Sequence, residues 1–389
     1  MVKRIESQYT PEERLFCRTG HIRVGSSSKP TPLKTYELGR EAQVPNLPQN
    51  FGINEFIKIF PAENKFDKNH QLKSRSIRDY FYGDFKNQLN NQLNSISLPS
   101  GNLNVFFLGF EGPRYPKPDE LRFLSSRTYS YSDIIPFPVI RNLNTLVSAA
   151  TVNRYLDFLK EVYDEYSTLN YKPIMGIIPK SIPDGYYKEI LKFYVDHDIT
   201  SFFYDFEGSY PGNVYPQIRV FFRELNDLGI TQESKESVIY AFNPGQGRIA
   251  LDRDVIEARD IIAIEYGFDI LGRPRHIGGG GSKKIETKER KIRYFDKTDY
   301  GYYRISYSQL QSIYPKDSSI PINAINAQDN LAVFNMEQKA IELCLLRQVI
   351  AQNRLTEYID KKTKITEDDR SQIKKMKKDL KEHQTSLFS

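Results

Sequence analysis

The stretch YDFEG (204–208) sets two carboxylates, Asp205 and Glu207, two residues apart. On an extended strand that spacing puts both on one face, and Gly208 lets a ligand approach the backbone closely. Such a pair suits covalent or proton-transfer chemistry. Capping of the following helix, or pairing with a nearby Arg, is the competing expectation. A third carboxylate, Asp269 in EYGFDILGRPRH (265–276), precedes an apolar pair and a basic loop. It is either a working group or an acceptor for neighbouring backbone amides. In that loop Arg273, Arg275 and His276 are candidate phosphate contacts, with plain surface solvation as the alternative. Glu111 in GFEGPR and Asn243 and Gln246 in NPGQG complete the candidate set. Glu111 has Arg114 as an available partner, and NPGQG also reads as a simple turn.

These residues all fall at the ends of apolar runs that alternate with helical patterns. DIIPFPVI (133–140), PIMGIIP (173–179), TSFFYDFEG (200–208), SVIYAFNPG (237–245) and FDILG (268–272) read as strands buried on both faces. Helical stripes separate them. One at 149–167 carries Val152, Tyr155, Leu156, Leu159, Val162, Tyr163 and Tyr166; one from Asp184 carries Tyr187, Ile190, Leu191 and Tyr194. A third carries Ile218, Phe221, Phe222, Leu225 and Leu228, and a fourth is expected from Asp252 to Tyr266. Strands followed by amphipathic helices imply parallel βα units. No G-x-G-x-x-G stands at a strand-to-helix turn, so a (β/α)8 TIM-like barrel is expected rather than a dinucleotide fold. Its working groups belong at the carboxyl ends of the strands.

Three regions are predicted. Residues 1–276 form the barrel, opened by a β-hairpin in HIRVGSSSKPTPLKTYELG (21–39) and strengthened by the strand in NLNVFFLGFEG (102–112). A polar, Asn- and Lys-rich insertion of short helices and loops occupies about 60–100. Residues 277–334 hold the flexible run GGGGS (278–282), either a natural loop or an introduced linker, and a small β element around KIRYFDKTDYGYYRISYSQL. Residues 335–389 are helical and basic, with nine Lys/Arg against four Asp/Glu over 361–381. A solvated face and a phosphate-contacting face both fit that charge.

Composition sets outer limits. With 39% hydrophobic and 27% charged residues among 389, the chain is an ordinary globular one. A net charge of +6 permits a polyanionic partner without demanding it. Two distant cysteines, Cys17 and Cys344, give neither a disulfide framework nor a Cys-rich zinc site and point to a reducing, cytoplasmic compartment. No run approaches the length of a membrane helix, and the amino terminus lacks a signal-peptide pattern. The histidines are scattered, and no P-loop or Ser-His-Asp arrangement is visible. No metal and no cofactor is expected.

Several stretches, in order, resemble the tRNA-guanine transglycosylase family. CRTGHIRVGSSSKPTP (17–32) is similar to its opening hairpin, and SDIIPFPVI with the 149–167 helix to its Ser-Asp-Ile strand and following helix. Residues 176–208 resemble the stretch holding its Gln-Gly-Gly and Gly-Gly-Leu segments. Residues 240–272 resemble the stretch ending in its nucleophile strand, and LLRQVIAQNRLTEYI (345–359) its carboxy-terminal helix. The resemblance implies a βα barrel that exchanges a guanine in DNA or tRNA for a 7-deazaguanine base through a covalent glycosyl-enzyme. It also implies a nucleic-acid partner, with a homo- or heterodimer as an open arrangement. The departures are specific. The family's second strand-end Asp falls on Gly272, its base-binding Asp falls within 136–139 where there is none, and its zinc cluster is missing. A catalytically silent barrel that binds nucleic acid or partners a catalytic subunit is therefore the alternative expectation.

Overall fold

The computed structural model describes residues 6–9, 18–37, 51–83, 86–94, 101–141, 148–169, 171–230, 237–246, 253–274, 291–326 and 328–387. Nine parallel strand segments form its central sheet. In chain order they are β1 (Leu33–Glu37), β2 (Ile53–Pro61), β3 (Leu103–Glu111), β4 (Ile135–Pro136), β5 (Val139–Arg141), β6 (Ile174–Pro179), β7 (Phe202–Asp205), β8 (Ile239–Phe242) and β9 (Ile270–Leu271). Their hydrogen-bonded order is β5-β3-β2-β1-β9-β8-β7-β6-β4. They are apolar on both faces because helices cover one side and the other side faces itself.

That self-facing follows from two distances. β3 and β8 stand four places apart, which is about 19 Å in a flat sheet. Yet the rings of Phe107 on β3 and Phe242 on β8 have centroids 4.2 Å apart, and Phe203 of β7 lies 4.9 Å from Phe107. β5 and β7 stand six places apart, but Arg141 and Asp205 at their ends approach to 2.6 Å. The sheet is curled, with an aromatic plug on its concave side.

The architecture is thus TIM-like, a curled parallel sheet flanked by helices, and it differs in detail from the eight-stranded barrel expected. The run 135–141 forms two ladder segments, because Pro136 and Pro138 have no N–H to donate. Phe137 between them bonds Met175 O, so one half of the run pairs with β6 and the other with β3.

Helices α1 (Pro118–Tyr131), α2 (Ala149–Ser167), α3 (Tyr187–Asp196) and α4 (Tyr215–Asp227) follow β3, β5, β6 and β7. α2 has the bounds its stripe predicted. Ser148 caps it by accepting from Thr151 N, and Val152, Tyr155, Leu159, Val162 and Tyr166 are buried. The helix expected over Asp252 to Tyr266 is not one element. Val255–Glu257 is a strand, and Ile261–Tyr266 is a 3₁₀ turn ended by Gly267 at φ 105°. The strand pairs with Gly301–Ile305, which pairs in turn with Ile292–Asp296. A partner some 45 residues downstream captured a β-branched Val-Ile pair that local periodicity gave to a helix.

The opening hairpin is present as Gly20–Val24 and Ser27–Thr31, with Glu6–Tyr9 as a third strand. Among the described residues the insertion holds a short hairpin (Lys65–Phe66 with Leu72–Ser74) and the helices Ile77–Tyr82 and Lys86–Asn94. The carboxy-terminal helices are α5 (Gln328–Ala351), α6 (Leu355–Asp360) and α7 (Glu367–Leu387). Arg347 of α5 donates to Pro32 O at 2.8 Å, and Gln372 of α7 accepts from Tyr266. Among the described residues no helix is long and apolar enough to cross a membrane.

Candidate active site

The sequence candidates separate to opposite ends of the sheet. Asp269 precedes β9 and lies at the amino ends of the strands. Its Oδ2 accepts from Ile239 N at 2.8 Å, the first residue of β8, while Asp205 is level with Phe242, the last. Three residues of strand rise, about 10 Å, therefore separate the two levels. Arg18 clamps Asp269 with Nε on Oδ1 at 3.0 Å and Nη2 on Oδ2 at 2.8 Å. The same Nη2 donates to Ser237 O. Asp269 is buried and meets a cation through both oxygens, with a backbone amide on one of them. It stands apart from Asp205 and Glu207, and of its two expected parts the structure displays the bond to a neighbouring backbone amide.

Asp205 and Glu207 stand together at the carboxyl ends. Asp205 closes β7, fully buried, and its Oδ1 accepts from Glu207 N at 2.9 Å. Arg141, the last residue of β5, places Nη2 2.6 Å from Asp205 Oδ2 and Nη1 3.8 Å from Glu207 Oε1. Burial pushes the Asp205 carboxyl up to about 6, against the Arg141 charge that lowers it, with Glu207 adding to the rise. Glu207 is held at φ 50°, in the left-handed region. A residue with a side chain rarely adopts that backbone, at a cost of roughly 1–2 kcal/mol. The carboxylate also accepts from Ser181 Oγ at 2.7 Å. Lys180, next to Ser181, donates to Ser209 at 2.8 Å.

The remaining candidates line the same end. Gly208 N donates to Asn243 O at 3.1 Å and Gly245 N to Ser209 O at 2.7 Å, so the loops after β7 and β8 are stitched together. A Cβ at Gly245 would fall 2.0 Å from Gly208 O, which is why that position is bare. Asn243 is buried at φ 55°. Gln246 donates to the buried Tyr302 Oη at 2.8 Å. Glu111 ends β3 and pairs with Lys65 at 2.5 Å, while its expected partner Arg114 is taken by Glu120. Arg273 pairs with Glu37 at the end of β1. Arg275 and His276 lie outside the described residues.

Sequence reading missed three contributors. Arg141 follows directly on the apolar run DIIPFPVI, and the strand-end rule would have found it. Glu37 ends β1 in the same way. Glu55 is the third, a lone carboxylate on the inward face of INEFIKIF. It is buried and accepts from Thr35 Oγ1 at 2.9 Å, from Tyr240 and from Arg273 N. Burial raises its pKa, with Lys34 opposing. A Cβ at Gly272 would come 3.1 Å from Glu55 Oε2. A carboxyl from β2 therefore fills the space beside the position where the family resemblance expects an attacking carboxylate.

Chemically, the carboxyl end gathers one buried carboxyl with a raised pKa, a second carboxylate beside it, and a guanidinium that bridges them. Among the described residues no group of three or more His, Cys, Asp or Glu is placed to hold a metal ion. The chain matches no protein-family model and no curated protein.

Proposed function

We propose that this protein is a transglycosylase-like enzyme that exchanges a guanine in nucleic acid for a 7-deazaguanine base. In this reading the nine ladder segments are a TIM-like barrel, with 135–141 as a single strand that brings the two edges of the sheet together. The observation that carries it is the Asp205–Arg141–Glu207 cluster at the carboxyl ends of the strands, with Glu207 in a left-handed conformation. Backbone strain of this kind concentrates at functional sites. The reaction class rests on the family resemblance of the sequence.

Asp205, ionised above about pH 6, attacks C1′ of the target nucleotide. The C1′–N9 bond breaks, its electron pair leaves with guanine, and guanine takes a proton. N9 of the entering base then attacks C1′, the sugar–carboxylate ester breaks, and the entering base gives up its proton. Glu207 carries that proton in both directions. Arg141 positions Asp205 and keeps its charge tolerable in a buried place. Asp269 has a structural part only.

A second reading has its own support. Asp205 is ion-paired and Gly272 stands where the resemblance expects an attacking carboxylate, as a silent, nucleic-acid-binding barrel would have it. Incorporation of labelled guanine into tRNA and into duplex DNA separates the two. Under the enzyme reading, label enters one polymer and Asp205→Asn lowers the rate by about 10³-fold or more, as expected for loss of a nucleophile. Salt-sensitive binding to both polymers with no incorporation would establish the silent barrel instead.

A further inference from the structure

The insertion after β2 puts an unusual surface at the rim of this site. From Glu63 to Lys73 every residue except Asp67 is exposed. Phe66 and Leu72 are register partners across the Lys65–Ser74 hairpin, 58% and 39% exposed. One exposed ring is ordinary on a protein surface. Here the ring is paired with a second apolar side chain on an arm rich in cations. Residues 65–74 hold three Lys against one Asp, a net +2. Lys68 and Lys73 are exposed and form no ion pair among the described residues.

The arm is tied to the site. Ala62 N donates to Glu111 O at 2.8 Å, and Lys65 pairs with the Glu111 carboxylate. Glu111 is the register partner of Arg141, which touches Asp205. The base of the arm is therefore anchored to the strand whose neighbour carries Arg141.

We propose that the hairpin Lys65–Ser74 is a binding arm for single-stranded nucleic acid, in which Phe66 stacks on an unpaired base and Lys68 and Lys73 hold the flanking phosphates. Base stacking on an exposed aromatic with cations alongside is the general mode of single-strand binding. A membrane surface fits less well, because binding there scales with buried apolar area and the arm offers two side chains. The inference deepens the proposed function by naming the form of the nucleic acid held next to the site, and it rests on that reading for its partner.

The test is fluorescence anisotropy of the full chain with a labelled 20-mer single strand across a salt series, run beside the base-exchange assay. Phe66→Ala is expected to weaken binding about 10-fold or more, as loss of one stacked base does. Lys68→Ala/Lys73→Ala is expected to lower the slope of log K against log salt by roughly 1.4, about 0.7 for each phosphate no longer neutralised. Tyr171, 74% exposed just ahead of β6 at the amino ends of the strands, is the control, and Tyr171→Ala is expected to change neither. All four residues are surface side chains, so unchanged thermal unfolding certifies the variants.

Binding unaltered in both arm variants overturns the arm while leaving the enzyme reading to its own assay. So does a loss seen for phosphatidylserine vesicles, sedimented with the same variants in a parallel assay, and not for the single strand, which would make the arm a membrane contact. Binding that depends on Phe66, with no exchange by the unmodified protein, keeps the arm and removes the enzyme.

Discussion

Two carboxylate–arginine pairs sit at opposite ends of the same sheet, and they are built differently. Arg18–Asp269, at the amino ends, is a two-bonded clamp in which Arg18 is 8% and Asp269 1% exposed. The Asp269 oxygens are also shared with Ile239 N, and the guanidinium with Ser237 O. Arg141–Asp205, at the carboxyl ends, has one close contact, a more exposed Arg141 at 15%, and a second carboxylate held nearby at 23%. The first pair spends its bonds on joining the segment before the opening hairpin to β8 and β9. The second leaves a buried acid under stress beside a partly open face. Burial alone does not separate the two carboxylates, since each meets an arginine and a backbone amide; what differs is the exposure of the arginine and the second carboxylate beside it.

The largest effect should come from breaking the clamp. Removing one member of a buried pair leaves an uncompensated charge and costs about 3–5 kcal/mol. Arg18→Ala and Asp269→Asn are each expected to lower urea stability by that amount, and Asp269→Asn to leave the exchange rate per folded molecule unchanged. Loss of exchange in folded Asp269→Asn would return this residue to the catalytic group and void the contrast.

Next in size is a pH effect at the other pair. The folded value of Asp205, about 6, lies above the unfolded carboxylate value near 3.9. Its contribution to stability is therefore full below about pH 4 and is lost as pH rises through 6, a change of about 3 kcal/mol for two pKa units. Stability curves of the unmodified chain and Asp205→Asn, subtracted, should show that loss between pH 4 and 6. A flat difference would mean that Arg141 fully offsets the burial. The exchange rate should rise through the same pH 6, since the attacking form is ionised.

The smallest effect isolates the backbone at Glu207. Glu207→Gly and Glu207→Ala both remove the carboxylate, but only Ala keeps the left-handed penalty. The Gly variant should be more stable by about 1 kcal/mol, with exchange reduced in both. Equal stabilities would show that φ 50° is not strained and would weaken the case for this end as the site.

Much of the scaffold was readable from residue order. The stripes of α2, α3 and α4 and the apolar runs of β3, β6, β7 and β8 name their own elements, because periods of 3.6 and 2 are local properties. The strand-end rule placed Asp205 and Glu207 where they stand. It failed for Asp269, which precedes its two-residue strand and so faces the amino end, although one-dimensional order made it look like a strand-end group. Arg141, one residue beyond an apolar run, obeys the same rule.

Sequence by itself determined that strands and helices alternate, that the sheet is parallel and buried on both faces, and that two carboxylates share one strand end. Tertiary structure alone decided which cation each carboxylate meets. Arg18 finds Asp269 across 251 residues, and Arg141 finds Asp205 only because the sheet curls. It also decided that Val255–Glu257 is a strand and that Glu55 fills the space beside Gly272. Those outcomes depend on contacts between distant segments, whose energies no local pattern carries.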